Sequence, residues 1–288
     1  RPGRNWGYLC NRELYPRVIK PTLIEPGLLM ADPPAVLQRS RQGRAEILCL
    51  NRPDARNAMN PELSLAIENA LDDIENDNEV AVVIITGSGS VFCAGADLKV
   101  VARGEGLAIN APKGGFGGLV QRDFPKPIIA AVNGPALAGG FELVLACDLV
   151  VAAETATFGL PEAKRGLLAA AGGPIRLARR VPLATALEIV MTGDPITAKR
   201  ALELGLVNRL TDTPDQVVAE AVALAERIGE NSPAAVRAGR KLTRAAAEVS
   251  EGEAWTLNAQ LAAEVFRSGD AIEGATAFAE KRPPVWNS

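Results

Sequence analysis

The chain of 288 residues is 48% hydrophobic and 23% charged, an ordinary globular composition with length enough for one large domain or two small ones. Its formal charge of −3 gives no hint of nucleic acid or an anionic membrane surface, and the apolar run from Leu143 to Ala153 is cut by Asp148, too short to span a bilayer. There is no histidine at all, which excludes a Ser-His-Asp triad, a Cys-His dyad and any His-ligated zinc site, so acid–base chemistry must come from carboxylates, Lys, Tyr or water.

Residues 1–29 carry several prolines and no clear period, and they lack the apolar core and cleavage site of a signal peptide. Met30 with the following ADPPAVL resembles a start, so residues 1–29 are expected to be a non-native or disordered extension. Two strand-like runs, AVLQ from Ala35 and AEILCL from Ala45, flank a turn-like Arg41-Gln42-Gly43-Arg44. The segment NRPDARNAMN reads as a loop, and Asn60-Pro61-Glu62 starts a helix whose apolar positions Leu63, Ile67, Ala70, Leu71 and Ile74 keep helical spacing. Val80 to Thr86 is a buried strand, closed by Gly87-Ser88-Gly89-Ser90. A first glycine turn, Ala94-Gly95-Ala96, then feeds a helix through Asp97-Leu98-Lys99. The stretch from Gly104 to Gly118 is Gly-rich and aperiodic, either a mobile surface loop or the lid or wall of a pocket.

The run Ile128 to Val132 is again a buried strand, stopped by Asn133-Gly134-Pro135. A second glycine turn, Ala138-Gly139-Gly140, leads into the apolar helix of Phe141 to Cys147, which holds one carboxylate, Glu142. Further strands are expected at Leu149 to Ala152 and Thr155 to Phe158. Leu160-Pro161-Glu162 opens a helix or loop, and Gly172-Gly173-Pro174 opens another helix. Beyond Ala184 the chain turns helical, near 183–192, 197–204, 214–230, 233–248, 252–267 and 270–280, broken by a strand-like Leu206 to Leu210. Strand-turn-helix units therefore fill the first two thirds and helices the last. The four cysteines lie far apart without a CxxC pair and read as reduced thiols, which points to a cytoplasmic protein.

Each glycine turn presents backbone N–H groups at a strand-to-helix junction. They are either two unrelated tight turns or, if the fold joins them, two donors for one developing oxyanion. Glu142 and Glu162 both sit where an acid commonly complements a helix start. Beside a partly buried oxyanion site, the same pair would acquire raised pKa values and divide acid and base duties. Lys99 is either a solvated charge or a phosphate contact.

Five stretches, NRPDARNAMN, FCAGADLK, KPIIAAVNGPALAGGFELVLACD, FGLPEAKRG and DAIEGATAFAEKRPPVW, resemble the crotonase, or enoyl-CoA hydratase/isomerase, superfamily in order and spacing from Val36 to Trp286. The resemblance implies an α/β fold: a spiral core of ββα units over residues 30–225 and a C-terminal helical trimerisation region over 226–288. It implies an acyl-CoA substrate, a homotrimer or dimer of trimers, and no cofactor or metal, coenzyme A being part of the substrate. By motif, Ala96 and Gly139 would supply the oxyanion-hole N–H groups and Glu142 and Glu162 the acid–base pair of a hydratase. Ala96, Asp97, Leu98, Lys99 and Arg56 would meet the thioester and coenzyme A. Where many hydratases carry a proline before paired glycines, this chain reads Leu167-Leu168-Ala169-Ala170-Ala171-Gly172-Gly173. The loop to Gly118 and the DAIEG ending also resemble carnitinyl-CoA dehydratases. The expected function is an enoyl-CoA hydratase-type lyase. Its rivals are a carnitinyl-CoA dehydratase, racemase or isomerase of the same fold, and a non-catalytic acyl-CoA-binding protein.

Overall fold

The computed structural model describes residues 35–286, and the extension expected over residues 1–29 lies outside them. The chain starts with the antiparallel hairpin β1 (Leu37–Gln42) and β2 (Ala45–Leu50) and continues through α1 (Pro61–Glu75), β3 (Val82–Gly87) and α2 (Leu98–Ala102). Next come the two-residue strands β4 (Asn110–Ala111) and β5 (Gly115–Phe116), then β6 (Ile128–Val132), β7 (Ala136–Leu137) and α3 (Gly139–Ala146). The following stretch holds β8 (Leu149–Ala153), β9 (Thr157–Gly159), a 3₁₀ turn at Pro161–Arg165, α4 (Gly173–Arg180) and α5 (Leu183–Thr192). The chain ends with β10 (Ile196–Thr197), α6 (Ala198–Glu203), β11 (Arg209–Thr211), α7 (Val217–Gly229), α8 (Pro233–Ala246), α9 (Glu251–Arg267) and α10 (Asp270–Glu280).

The main sheet runs β1-β2-β3-β6-β8-β11, parallel except for the opening hairpin. Burial on both faces explains why β3 and β6 read as unbroken apolar runs rather than alternating ones. In β3, Val82 and Ile84 turn toward Val217, Ala221, Val222 and Ala225 of α7, while Val83 and Ile85 join the larger core with α1 and α3. A second, short sheet has the order β10-β9-β7. Single bridges carry its pairing onward, Cys93 to Ala136 and Met59 to Ala96. This second ladder positions the site.

Helix boundaries follow their local signals. Asn60 accepts from Leu63 N–H at 3.0 Å, Pro61 occupies the first turn, and α1 starts as expected. Ser250 and Glu253 form a reciprocal capping box on α9. Two expectations shift. Strand β1 runs on through Arg41 and Gln42, leaving a turn of only Gly43 and Arg44, because Arg39 and Arg41 both pair with the buried Glu46 across the hairpin at 3.0 Å. The last strand is Arg209–Thr211 rather than Leu206 to Leu210. Leu206 and Val207 are instead buried in the core, and Asn208 takes the edge of β8 by accepting from Val150 N–H at 2.8 Å.

Helix α7 runs across the 225/226 boundary between the expected core and C-terminal regions. Helix α8 is tied to the core by Asp148, which receives Arg240 Nε at 2.8 Å, Arg244 Nε at 2.7 Å and Ile128 N–H at 2.8 Å. That one carboxylate joins α8 to the start of β6.

Candidate active site

The two glycine turns, 42 or more residues apart in sequence, touch. Leu137 N–H donates to Cys93 O at 3.0 Å and Cys93 N–H to Pro135 O at 3.3 Å, which lays the first turn along the second. Only glycine permits the approach. A Cβ on Gly95 would stand 3.0 Å from Gly139 N, and one on Gly140 would stand 2.1 Å from Cys93 O. In the parallel bridge to Met59, Gly95 O and Asp97 N–H make the bonds (2.7 and 2.8 Å), so Ala96 N–H is turned away from the ladder. Gly139 is the first residue of α3, where an N–H has no partner inside the helix. Neither N–H donates to an acceptor among the described residues. Ala138, between them, has φ 53° and ψ −131°, a strained conformation for a residue with a side chain, and it sets the direction of the Gly139 peptide.

Glu142 follows one turn inside α3 and is 3% exposed, deeper than an acid serving only the helix dipole needs to be. Gly173 N–H donates to its Oε1 at 2.8 Å, and the Ala171 amide is a second favourable partner. Burial, aided by the nearby Glu162 charge, outweighs both and pushes Glu142 up to about 7. Glu162 sits in the 3₁₀ turn Pro161–Arg165 and is also raised by burial, against the opposing effects of its own backbone amide and of Arg165. Its Oε2 is buried and has no hydrogen-bond partner among the described residues. A buried carboxylate oxygen left unpaired costs free energy in a resting fold, and a substrate or water can satisfy it.

Ala96, Gly139, Glu142 and Glu162 all line one cavity of 1020 Å³, and so do Arg56, Asp97, Leu98 and Lys99. The coenzyme A candidates are not equivalent. Asp97 uses its carboxylate internally: it receives Arg52 at 3.0 Å and caps α2 by accepting from Lys99 N–H at 3.0 Å. Burial would raise Asp97, but Arg52 and Lys99 hold it below the usual carboxylate range. Lys99 and Arg56 leave their cationic groups without an ion-pair partner among the described residues, at the mouth of the cavity. Leu98 is half exposed beside them.

The stretch from Gly104 to Gly118 is a built wall. It contains the β4–β5 hairpin, and the buried carboxylate of Glu68 holds it by accepting from Lys113 N–H at 2.8 Å and Gly114 N–H at 2.7 Å. Phe116, on that wall, lies so close to Gly139 that a Cβ there would stand 2.3 Å from its ring. Ala170, Ala171, Leu167 and Leu168 also line the cavity, so the alanine-rich departure forms part of its wall. Cys93, beneath the turns, is pushed up to about 12 by burial and stays a neutral thiol.

Residues 41–288 match the family described as enoyl-CoA hydratase/isomerase. The chain belongs to the enoyl-CoA hydratase/isomerase family. Among its curated relatives, this family member is 43% identical over 256 residues to carnitinyl-CoA dehydratase from Salmonella typhi, covering 87% of this chain and 97% of that protein. Among solved structures, an enoyl-CoA hydratase from Mycobacterium tuberculosis superposes with a TM-score of 0.83 at 44% identity, covering 88% of this chain and 99% of that one. A carnitinyl-CoA hydratase from Mycobacterium avium is 46% identical with a TM-score of 0.71 over 88% of this chain and 98% of that one. The fold is accordingly the crotonase fold, and the strand–strand–helix units β6-β7-α3 and β8-β9-α4 are its repeat.

Sequence reasoning missed several residues of the site. Phe116 had no periodic signal, lying between glycines. Arg52 was legible only as part of NRPDARNAMN, and its pairing with Asp97 spans 45 positions. Arg165, exposed at the cavity edge, was hidden in the pair Lys164-Arg165, which reads as a solvated helix end.

Proposed function

We propose that this chain is a hydro-lyase that adds water across the 2,3 double bond of an enoyl-CoA thioester, with coenzyme A entering as part of the substrate and no further cofactor. One observation carries this reading: two raised carboxylates, Glu142 buried and Glu162 half-buried, line the same cavity as two unengaged backbone N–H groups on touching turns. The thioester carbonyl oxygen accepts from Ala96 N–H and Gly139 N–H, which stabilise the enolate as negative charge moves onto that oxygen. Glu142, already held by two backbone amides that favour its ionised form, takes a proton from water as the water oxygen bonds to C3. Glu162, whose unpaired oxygen and burial favour the acid form, delivers a proton to C2. Arg56 and Lys99 provide charge for the coenzyme A phosphates.

A second reading, dehydration of carnitinyl-CoA on the same two acids, is supported by the names of relatives at 43% and 46% identity. A panel of thioesters separates the two. Loss of the conjugated thioester absorbance with crotonyl-CoA or a longer 2-enoyl-CoA is the expected result. Turnover of carnitinyl-CoA alone would select the second reading. Calorimetric binding of acyl-CoA with no turnover of any thioester would leave a binding protein and overturn both.

Unpaired thiols at Cys49, Cys93 and Cys147 support a cytoplasmic site of action, and no helix among the described residues is long and apolar enough to cross a membrane. Trp255, Phe266, Ile272 and Phe278 on α9 and α10 expose large apolar faces, which supports assembly into a trimer or dimer of trimers. Light scattering at micromolar concentration should return a multiple of three chain masses, and a monomer would contradict the assembly.

A further inference from the structure

Arg176 stands in the first half of α4, where a cation opposes the helix dipole, and it is half-buried. Burial, with Arg244 and Arg179 behind it, pushes this guanidinium below its ordinary value, while Glu142 and the Cys147 thiol favour its charge. It makes no salt bridge among the described residues. Instead its fork closes on two backbone carbonyls of residues that line the cavity: Nη1 donates to Ala171 O at 3.1 Å and Nη2 donates to Val120 O. Gly172 lets it pass, since a Cβ there would stand 2.3 Å from Nη1 and the residue has φ +97°. Val120 and Ala171 both line the cavity, and the Ala171 amide also acts on the Glu142 carboxylate.

We propose that Arg176 is a positioning residue for the acid pair: its guanidinium clamps the Ala171 peptide beside Glu142 and pins that loop to Val120. A planar fork with fixed donors suits two carbonyls held at a set separation, which a lysine ammonium cannot span. Its positive charge also opposes the burial and the Glu162 charge that act on Glu142, with Arg165 doing the same for Glu162 and Arg179 and Arg244 flanking it. The catalytic consequence rests on the hydratase reading above, whereas the clamp on Glu142 does not.

The test compares Arg176→Met and Arg176→Lys with the wild type by two readouts. The first is the pH profile of kcat/KM on the best thioester of the panel. Arg176→Met should move the limb near neutrality upward by about one pH unit and lower kcat about tenfold, with KM changed less than threefold. Arg176→Lys should bring the limb back toward wild type while kcat stays low, because charge returns and the fork does not. The second readout needs no turnover: urea unfolding across pH 5 to 9, with Glu142→Gln as the reference that removes the titration. Glu142 is raised when folded, so its contribution to stability is present at low pH and is lost as pH rises through about 7. In Arg176→Met that loss should move to higher pH by the same amount. Should the Met variant fail to fold, the Lys variant decides through kcat. An unmoved titration in folded Arg176→Met, or wild-type kcat in Arg176→Lys, overturns the proposal. A protein inactive on every thioester whose Glu142 titration still shifts would sink the hydratase reading and leave the clamp standing.

Discussion

Replacing Glu142 by glutamine is expected to lower kcat/KM by about 10²–10⁴, the usual contribution of a positioned acid or base, while acyl-CoA binding measured by calorimetry persists. The substitution keeps the shape of the side chain and an oxygen for the Gly173 N–H, 2.8 Å away in the wild type. What it removes is the capacity to take a proton from water. In the wild type, a first limb of rising activity should appear as Glu142 ionises near 7. Glutamine should abolish the first limb. Stability moves the other way. A folded value near 7 against an ordinary 4.5 means that the native state resists ionisation. Above neutrality the wild type therefore gives up on the order of 3 kcal/mol that an uncharged side chain retains. A variant that is inactive yet melts higher at pH 8 is the expected signature. Near-normal turnover in both Glu142→Gln and Glu162→Gln would end the two-carboxylate mechanism.

Gly140→Ala should damage both the fold and the chemistry. The added methyl would stand 2.1 Å from Cys93 O, 2.8 Å from Cys93 C and 2.9 Å from Cys93 Cβ, atoms of the neighbouring turn rather than the tip of a flexible side chain. Relief requires the start of α3 to lift from the Cys93–Gly95 segment, which separates Gly139 N–H from Ala96 N–H. A cost of about 2–3 kcal/mol in unfolding free energy is expected from the overpacking. A further loss of about 10²–10³ in kcat would follow from the displaced oxyanion donor. Gly239→Ala is the control. Nothing lies within 4 Å of a Cβ there, and the residue is inside α8, so alanine should stabilise by up to about 1 kcal/mol and leave kcat alone. Equal behaviour of the two variants would mean that the contact between the turns is unimportant.

Much of the fold was legible because its signals are short. Asn60-Pro61 marks a helix start within two residues, Ile128–Val132 is a strand by composition alone, and the helices from Leu183 onward carry their own period and caps. The hairpin turn and the last strand slid by a few residues because Arg39, Arg41 and Asn208 found partners across strands, which no local window contains.

The site divides along the same line. Sequence by itself determined which chemistry was available: with no histidine, the acids Glu142 and Glu162 and the backbone of two glycine turns were the candidates, and motif resemblance named the family. Only the tertiary structure decided that the two turns meet through the Cys93–Ala136 bridge and that Glu142 is buried enough to rise to about 7. It also singled out Arg176, rather than its neighbours Arg179 and Arg180, as the residue gripping both the Ala171 and Val120 carbonyls. The physical reason is that helix periods and caps are written within a turn or two of chain. Desolvation and hydrogen bonds across 40 to 60 residues depend instead on which backbones the ladder brings within reach.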